Sequence, residues 1–170
     1  MDIMLIAGRL VHVMAGIFWV GAMMFVAFYL VPALRDVGPD AGKVMVALRQ
    51  RGFMRVIPVM AVLTLLSGFW LFWRVSAGAP GHYLFTGPGH VYAIGGLVAV
   101  IAFAIGISVT RPAMMRATVI AEAMATASPA EREGLISEGQ AARERGARWG
   151  RVVAWMLVVS ALSMAVGRYI

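Results

Sequence analysis

The sequence predicts an all-α fold: a polytopic membrane protein built as a four-transmembrane-helix bundle, with a cytoplasmic helical hairpin extending spans three and four. Three observations carry this prediction. Of the 170 residues, 61% are hydrophobic and 14% are charged, whereas an ordinary soluble domain is about 25% charged. Four apolar runs, about 5–34, 56–73, 91–109 and 152–167, suit helices crossing about 30 Å of hydrocarbon at about 1.5 Å per residue. The arginines gather in alternate connections. Arg35, Arg49, Arg51 and Arg55, with Lys43, follow span one, and Arg111, Arg116, Arg132, Arg143, Arg145, Arg148 and Arg151 follow span three, against Arg74 alone after span two. By the positive-inside rule the two basic connections are cytoplasmic and both termini are outside. The net charge of +7 is therefore a topology signal and implies no nucleic acid as partner.

The elements follow in order. Span one is too long for the 7–15-residue core of a secretory signal and lacks a small-residue cleavage site after it, so it is expected to remain as a helix. In the connection that follows, "DAGKVMVALRQR" sets Val44, Val46, Ala47 and Leu48 beside basic residues and is closed by Gly52, the pattern of a short helix lying along the inner membrane surface. A phosphate-loop reading of "GPDAGKV" fails, because three residues separate the glycines and Val44 stands where a Ser or Thr should bind magnesium. Span two carries Trp70 and Trp73 at its outer end, read as interfacial anchors, as is Trp149 near the inner end of span four. "RVSAGAPGHYLFTGPGH" then predicts turns and a short surface element.

Span three should continue as a helix beyond the apolar run, bent near Pro112, whose ring removes a backbone donor and crowds the preceding turn. "SPAE" predicts the next helix start, with Ser128 as N-cap, Pro129 at the first position and Glu131 completing a capping box. The segment of about 111–151 is thus expected to form the cytoplasmic hairpin. Charges such as Glu138 with Arg143 and Arg145 read as a solvated face, and the hairpin is also a candidate docking arm for other subunits of a membrane complex. No linker or repeat divides the chain, so residues 1–170 are expected to form one integral membrane domain.

The chemistry on offer is sparse. There is no cysteine, which excludes disulfides, thiolate metal sites and cysteine nucleophiles. Acidic residues are absent from the four apolar runs, which argues against a carboxylate proton relay or a transporter with buried ionic couplings. What remains is histidine. His12 lies within span one about two turns from its outer end, and His82 and His90 lie in the outer connection, so all three are expected toward one side of the membrane. An ionisable residue within a span is a functional candidate.

Residues three, four and seven apart share a helical face, so Gly8, Ala15, Gly16 and, a turn further, Trp19 flank His12. Glycines above and below a histidine leave a groove for a flat ring, with the tryptophan at its edge. The same small residues also let two transmembrane helices approach closely. In that reading His12 is a neutral imidazole hydrogen-bonded to a neighbouring helix, with Thr64, Ser67, Ser160 and Ser163 as partners in reach. If the group is haem b, His12 is an axial ligand and His90 the best second one, with His82 the loop alternative. Copper suits His and Met ligands, and there are 13 methionines. It ranks below haem, because His12 and Met14 are two residues apart and point about 200° away from each other on a helix.

"VHVMAGIFWVGAMMFVAFYLVPALR", with His12, Trp19, Gly21 and the closing Pro32 and Arg35, resembles the first helix of small bacterial membrane proteins related to copper-resistance protein D and to the haem-containing membrane protoporphyrinogen oxidases. "LTLLSGFWLFW" and "SMAVGRY" likewise resemble the second and last spans of copper-resistance-D-like proteins. The resemblance covers most of the membrane part and not the hairpin. It implies a four-helix bundle in the bacterial cytoplasmic (inner) membrane with His12 as a haem ligand. The oxidases also use a lysine in a later span, and here the only lysine is Lys43 in a loop. The expected function is therefore haem binding near the outer face, for electron transfer or porphyrin redox chemistry. Its alternatives are a non-catalytic accessory subunit of a respiratory or photosynthetic membrane complex and, third, a copper-handling protein.

Overall fold

The computed structural model describes residues 2–38, 41–124 and 126–170. All of its regular structure is helical, and four helices are long and apolar enough to cross a membrane. Helix α1 (Ile3–Phe25) runs through a widened turn at Val26–Leu30 into α2 (Val31–Val37), and α3 (Ala41–Gln50) follows. After α4 (Phe53–Val75) and the short α5 (Pro80–Tyr83), α6 (Gly87–Ile105) runs through a second widened turn at Gly106–Thr110 into α7 (Arg111–Ala123). Helix α8 (Pro129–Val166) closes the chain with a 3₁₀ turn at Gly167–Tyr169.

Both widened turns are π-helical and precede a proline. The Val31 N–H reaches back to the Val26 carbonyl and the Arg111 N–H to the Gly106 carbonyl, one residue further than in an α-helix. Pro32 and Pro112 come next. A proline ring cannot donate and clashes with the carbonyl four residues back, and the extra residue in the turn relieves that crowding. The chain therefore passes the proline as a continuous helix: the bend expected near Pro112 is a π turn just before it.

The bundle is made of two closely packed helix pairs, α1 with α4 and α6 with α8, joined by smaller α1–α8 and α4–α6 contacts. Lipid tails are as apolar as leucine, so pairing within a membrane rests on close approach and dispersion. Glycines supply that approach here. A Cβ on Gly8 would run into the Trp70 ring, one on Gly95 would lie 2.9 Å from Ser163 Cβ, and one on Gly167 2.6 Å from the Tyr92 ring. Along α8 the buried residues Gly139, Gly146, Gly150, Val153, Leu157 and Ser160 recur every three, four or seven positions, a seam facing α6 and α7. Trp19, Met23, Ala61, Ala102, Val153 and Leu157 meet at the centre as the core.

At the end of the bundle that carries both termini, Asp2 caps α1 by accepting from the Met4 and Leu5 N–H groups, and Arg74 at the end of α4 donates to it at 2.6 Å. At the opposite, arginine-rich end, α3 packs on α7 with Gly42 against Ala121, and Arg49 pairs with Glu122. Gly52 takes the left-handed conformation (φ 81°) that turns the chain from α3 into α4. The start of α8 is held as its sequence predicts, with the Glu131 carboxylate accepting from the Ser128 N–H and hydroxyl at 2.9 and 2.6 Å. Glu138 does not use the arginines of its own helix. It pairs with Arg116 on α7, tying α7 to α8, and being exposed this pair contributes little stability.

Two outcomes are expected. Gly95→Val forces α6 away from α8 at a cost of about 1–3 kcal/mol, whereas Gly96→Val, with nothing within 4 Å of its Cβ, is close to neutral; denaturant titration in detergent micelles separates them. The Arg74 hydrogen bond, helped by the Leu5 N–H, holds the Asp2 carboxyl below its ordinary value of 3.8. Its contribution is therefore complete above that value and is lost as the pH falls through the lowered folded value. Asp2→Asn should thus lower Tm at neutral pH, with the gap to the parent closing in strong acid.

Candidate functional site: the His12 contact between α1 and α4

His12 faces α4 and is half-buried between the two helices. Its Nδ1 lies 2.9 Å from the backbone carbonyl oxygen of Thr64 and 3.4 Å from Ser67 Oγ. A carbonyl can only accept, so Nδ1 carries the proton and donates, and in the neutral ring Nε2 keeps its lone pair. Thr64 takes part through its backbone, because its hydroxyl donates to the Met60 carbonyl. The ring reaches that carbonyl because Gly68 has no side chain: a Cβ there would lie 2.7 Å from His12 Cε1 and 3.0 Å from Nδ1.

The other residues singled out in the sequence fall as follows. Gly8 is covered by the Trp70 ring and a Cβ on Gly16 would lie 3.6 Å from Thr64 Cγ2, so both lie in the α1–α4 contact. Trp70, expected as an interfacial anchor, is thus also a packing residue. Trp19 is buried in the core at 3% exposure, edge-to-face with Phe103 at 6.3 Å. His90 stands exposed at the start of α6, its ring edge-on to Phe85 at 6.2 Å. His82 is exposed on α5, in a shallow cleft with Ser76, Tyr83 and Thr86. All three histidines lie toward the end that carries the termini, but the structure does not bring His82 or His90 to His12. Among the described residues no three His, Asp or Glu side chains gather as a metal-binding group.

Sequence reading named Thr64 and Ser67 as partners in reach of His12, and both lie beside its Nδ1; it missed Gly68, and that Thr64 takes part through its carbonyl. The signal was present as Thr64 and Gly68, four apart, small residues on one face of span two that match the Gly8, His12, Gly16 spacing on span one. No protein-family model, curated protein or solved structure matches this chain.

The geometry predicts energetic coupling. Gly68→Ala should displace the imidazole from the Thr64 carbonyl and His12→Ala should remove it, so the two losses overlap. A double-mutant cycle read by unfolding in micelles should give a coupling of about 0.6–1.7 kcal/mol, the range of hydrogen bonds between membrane helices; additive losses would contradict the contact.

Proposed function

We propose that the chain is a haem-binding protein of the bacterial cytoplasmic membrane, with both termini outside, the α7–α8 hairpin in the cytoplasm, and His12 as the single protein ligand to a b-type haem near the outer face. One observation carries this reading: the Thr64 carbonyl fixes the His12 tautomer and leaves Nε2 with a free lone pair. A histidine that ligates a metal is ordinarily held this way, its other ring N–H given to a carbonyl or carboxylate. The donor set would offer the haem one protein ligand, His12, since His90 stands apart on α6. Gly8 and Gly16 are then helix-packing residues next to the ligand, and Trp19 a core residue beneath it. When bound, the haem supplies one-electron exchange. The chain's own part is to hold His12 in one tautomer and orientation through the Thr64 hydrogen bond.

The topology rests on the arginine distribution: the α3, α7 and α8 arginines lie at one end and the termini at the other. A second reading is favoured by the contact between Trp70 and Gly8. Here His12 is a packing clamp in an accessory subunit without a cofactor, and the hairpin is its docking arm.

Visible spectra of the oxidised and reduced protein in mild detergent decide between these. A Soret band lost in His12→Ala and kept in His90→Ala is expected for single-ligand haem. A colourless, folded protein that co-purifies with a larger membrane complex and is released when 111–151 is deleted would establish the accessory reading instead.

A further inference from the structure

A second feature lies in the half of the bundle nearer the arginine-rich end, away from His12. Where α4 and α6 diverge, a partly enclosed cleft of about 490 Å³, including its mouth, is lined by Met54, Ile57 and Pro58 of α4 and by Phe103 and Ile107 on the α6 side, with Trp19 at its base. Its enclosed part is about 60 Å³ and the rest is open mouth, a narrow groove between helices. Two polar residues complete the lining, Thr110 and Arg111, both at the end nearer the arginines.

Thr110 is the telling residue. Several helix hydroxyls donate to the carbonyl four residues back: Thr64 to Met60, Ser108 to Ala104, Thr118 to Met114 and Ser163 to Val159. Thr110 does not. The π turn gives the Gly106 carbonyl to the Arg111 N–H, and Thr110 Oγ1 is left buried without a partner in a residue only 3% exposed. A buried, unpaired hydroxyl costs free energy unless something fills its need. Beside it, Arg111 is exposed and no carboxylate pairs with it among the described residues; Arg55, one turn from Pro58 on α4, is likewise exposed and unpaired. The lining thus runs from wholly apolar at depth, through one hydroxyl, to guanidinium charge at the rim. An anionic phospholipid has the same order: acyl chain, ester carbonyl, phosphate.

We propose that this cleft is a site for one anionic phospholipid, its acyl chain between α4 and α6, an ester carbonyl accepting from the Thr110 hydroxyl, and its phosphate held by Arg111. The site is independent of the His12 reading. Gly106 offers a way to block it, since it lines the cleft and its Cβ would meet nothing within 4 Å, so a large side chain enters the space without displacing backbone.

Native mass spectrometry of the full chain, exchanged into micelles holding equal amounts of phosphatidylglycerol and phosphatidylcholine, tests this. The parent should retain one phosphatidylglycerol in preference to phosphatidylcholine. Gly106→Phe should retain none, and Arg111→Gln should lose the preference for the anionic headgroup. Thr110→Val should weaken retention by about twofold to tenfold, the worth of one hydrogen bond. Without lipid, Thr110→Val should also have a higher Tm than the parent, because the unpaired hydroxyl is gone; this readout does not depend on the bulkier variant folding. Equal retention of the two lipids by the parent, or unchanged retention in Gly106→Phe, would overturn the proposal.

Discussion

The structure depends on how closely two apolar helices can approach when hydrophobicity does not drive them together. Inside a membrane a leucine gains little by leaving lipid for another leucine, so contact is won by dispersion at short range. Glycine makes that range available. Gly8 under Trp70, Gly68 under His12, Gly95 against Ser163 and Gly167 against Tyr92 set α1 on α4 and α6 on α8. The core of Trp19, Met23, Ala61, Ala102, Val153 and Leu157 forms where the two pairs meet.

The polar groups within the bundle follow from the same constraint. An imidazole in hydrocarbon needs a partner, and the missing side chain of Gly68 exposes the Thr64 carbonyl to it. Packing and chemistry thus share one contact: the hydrogen bond that joins α1 to α4 also determines which nitrogen of His12 keeps a lone pair. In the other half of the bundle the balance is reversed. In the π turn before Pro112 the Thr110 hydroxyl is buried and unpaired beside an open cleft.

Much of the fold was legible because its signals are local. The four apolar runs, the short helix ended by Gly52 and the helix start at Ser128 with Glu131 are each written in a few adjacent residues. Partner choice was less legible. Glu138 reads as a partner for Arg143 and Arg145 on its own helix, yet pairs with Arg116 because α7 lies alongside α8. Trp70 reads as an interfacial anchor until the face of α1 that it covers is known.

By itself, the sequence determined that this chain is helical, that four of its helices suit a membrane, and that His12 sits on a face lined by small residues. Those properties depend on composition and periodicity, which a single helix already displays. Only the tertiary structure decided that the Gly8–Gly16 face meets α4, that the partner of His12 is a backbone carbonyl exposed by Gly68, and that His90 and His82 stand apart from it. It also decided that Thr110 lacks a partner, while the similar Thr64 and Thr118 have one. The physical reason is common to all of these: in an apolar helix many faces look alike, and which one is buried is selected by the shape of a neighbour distant in sequence.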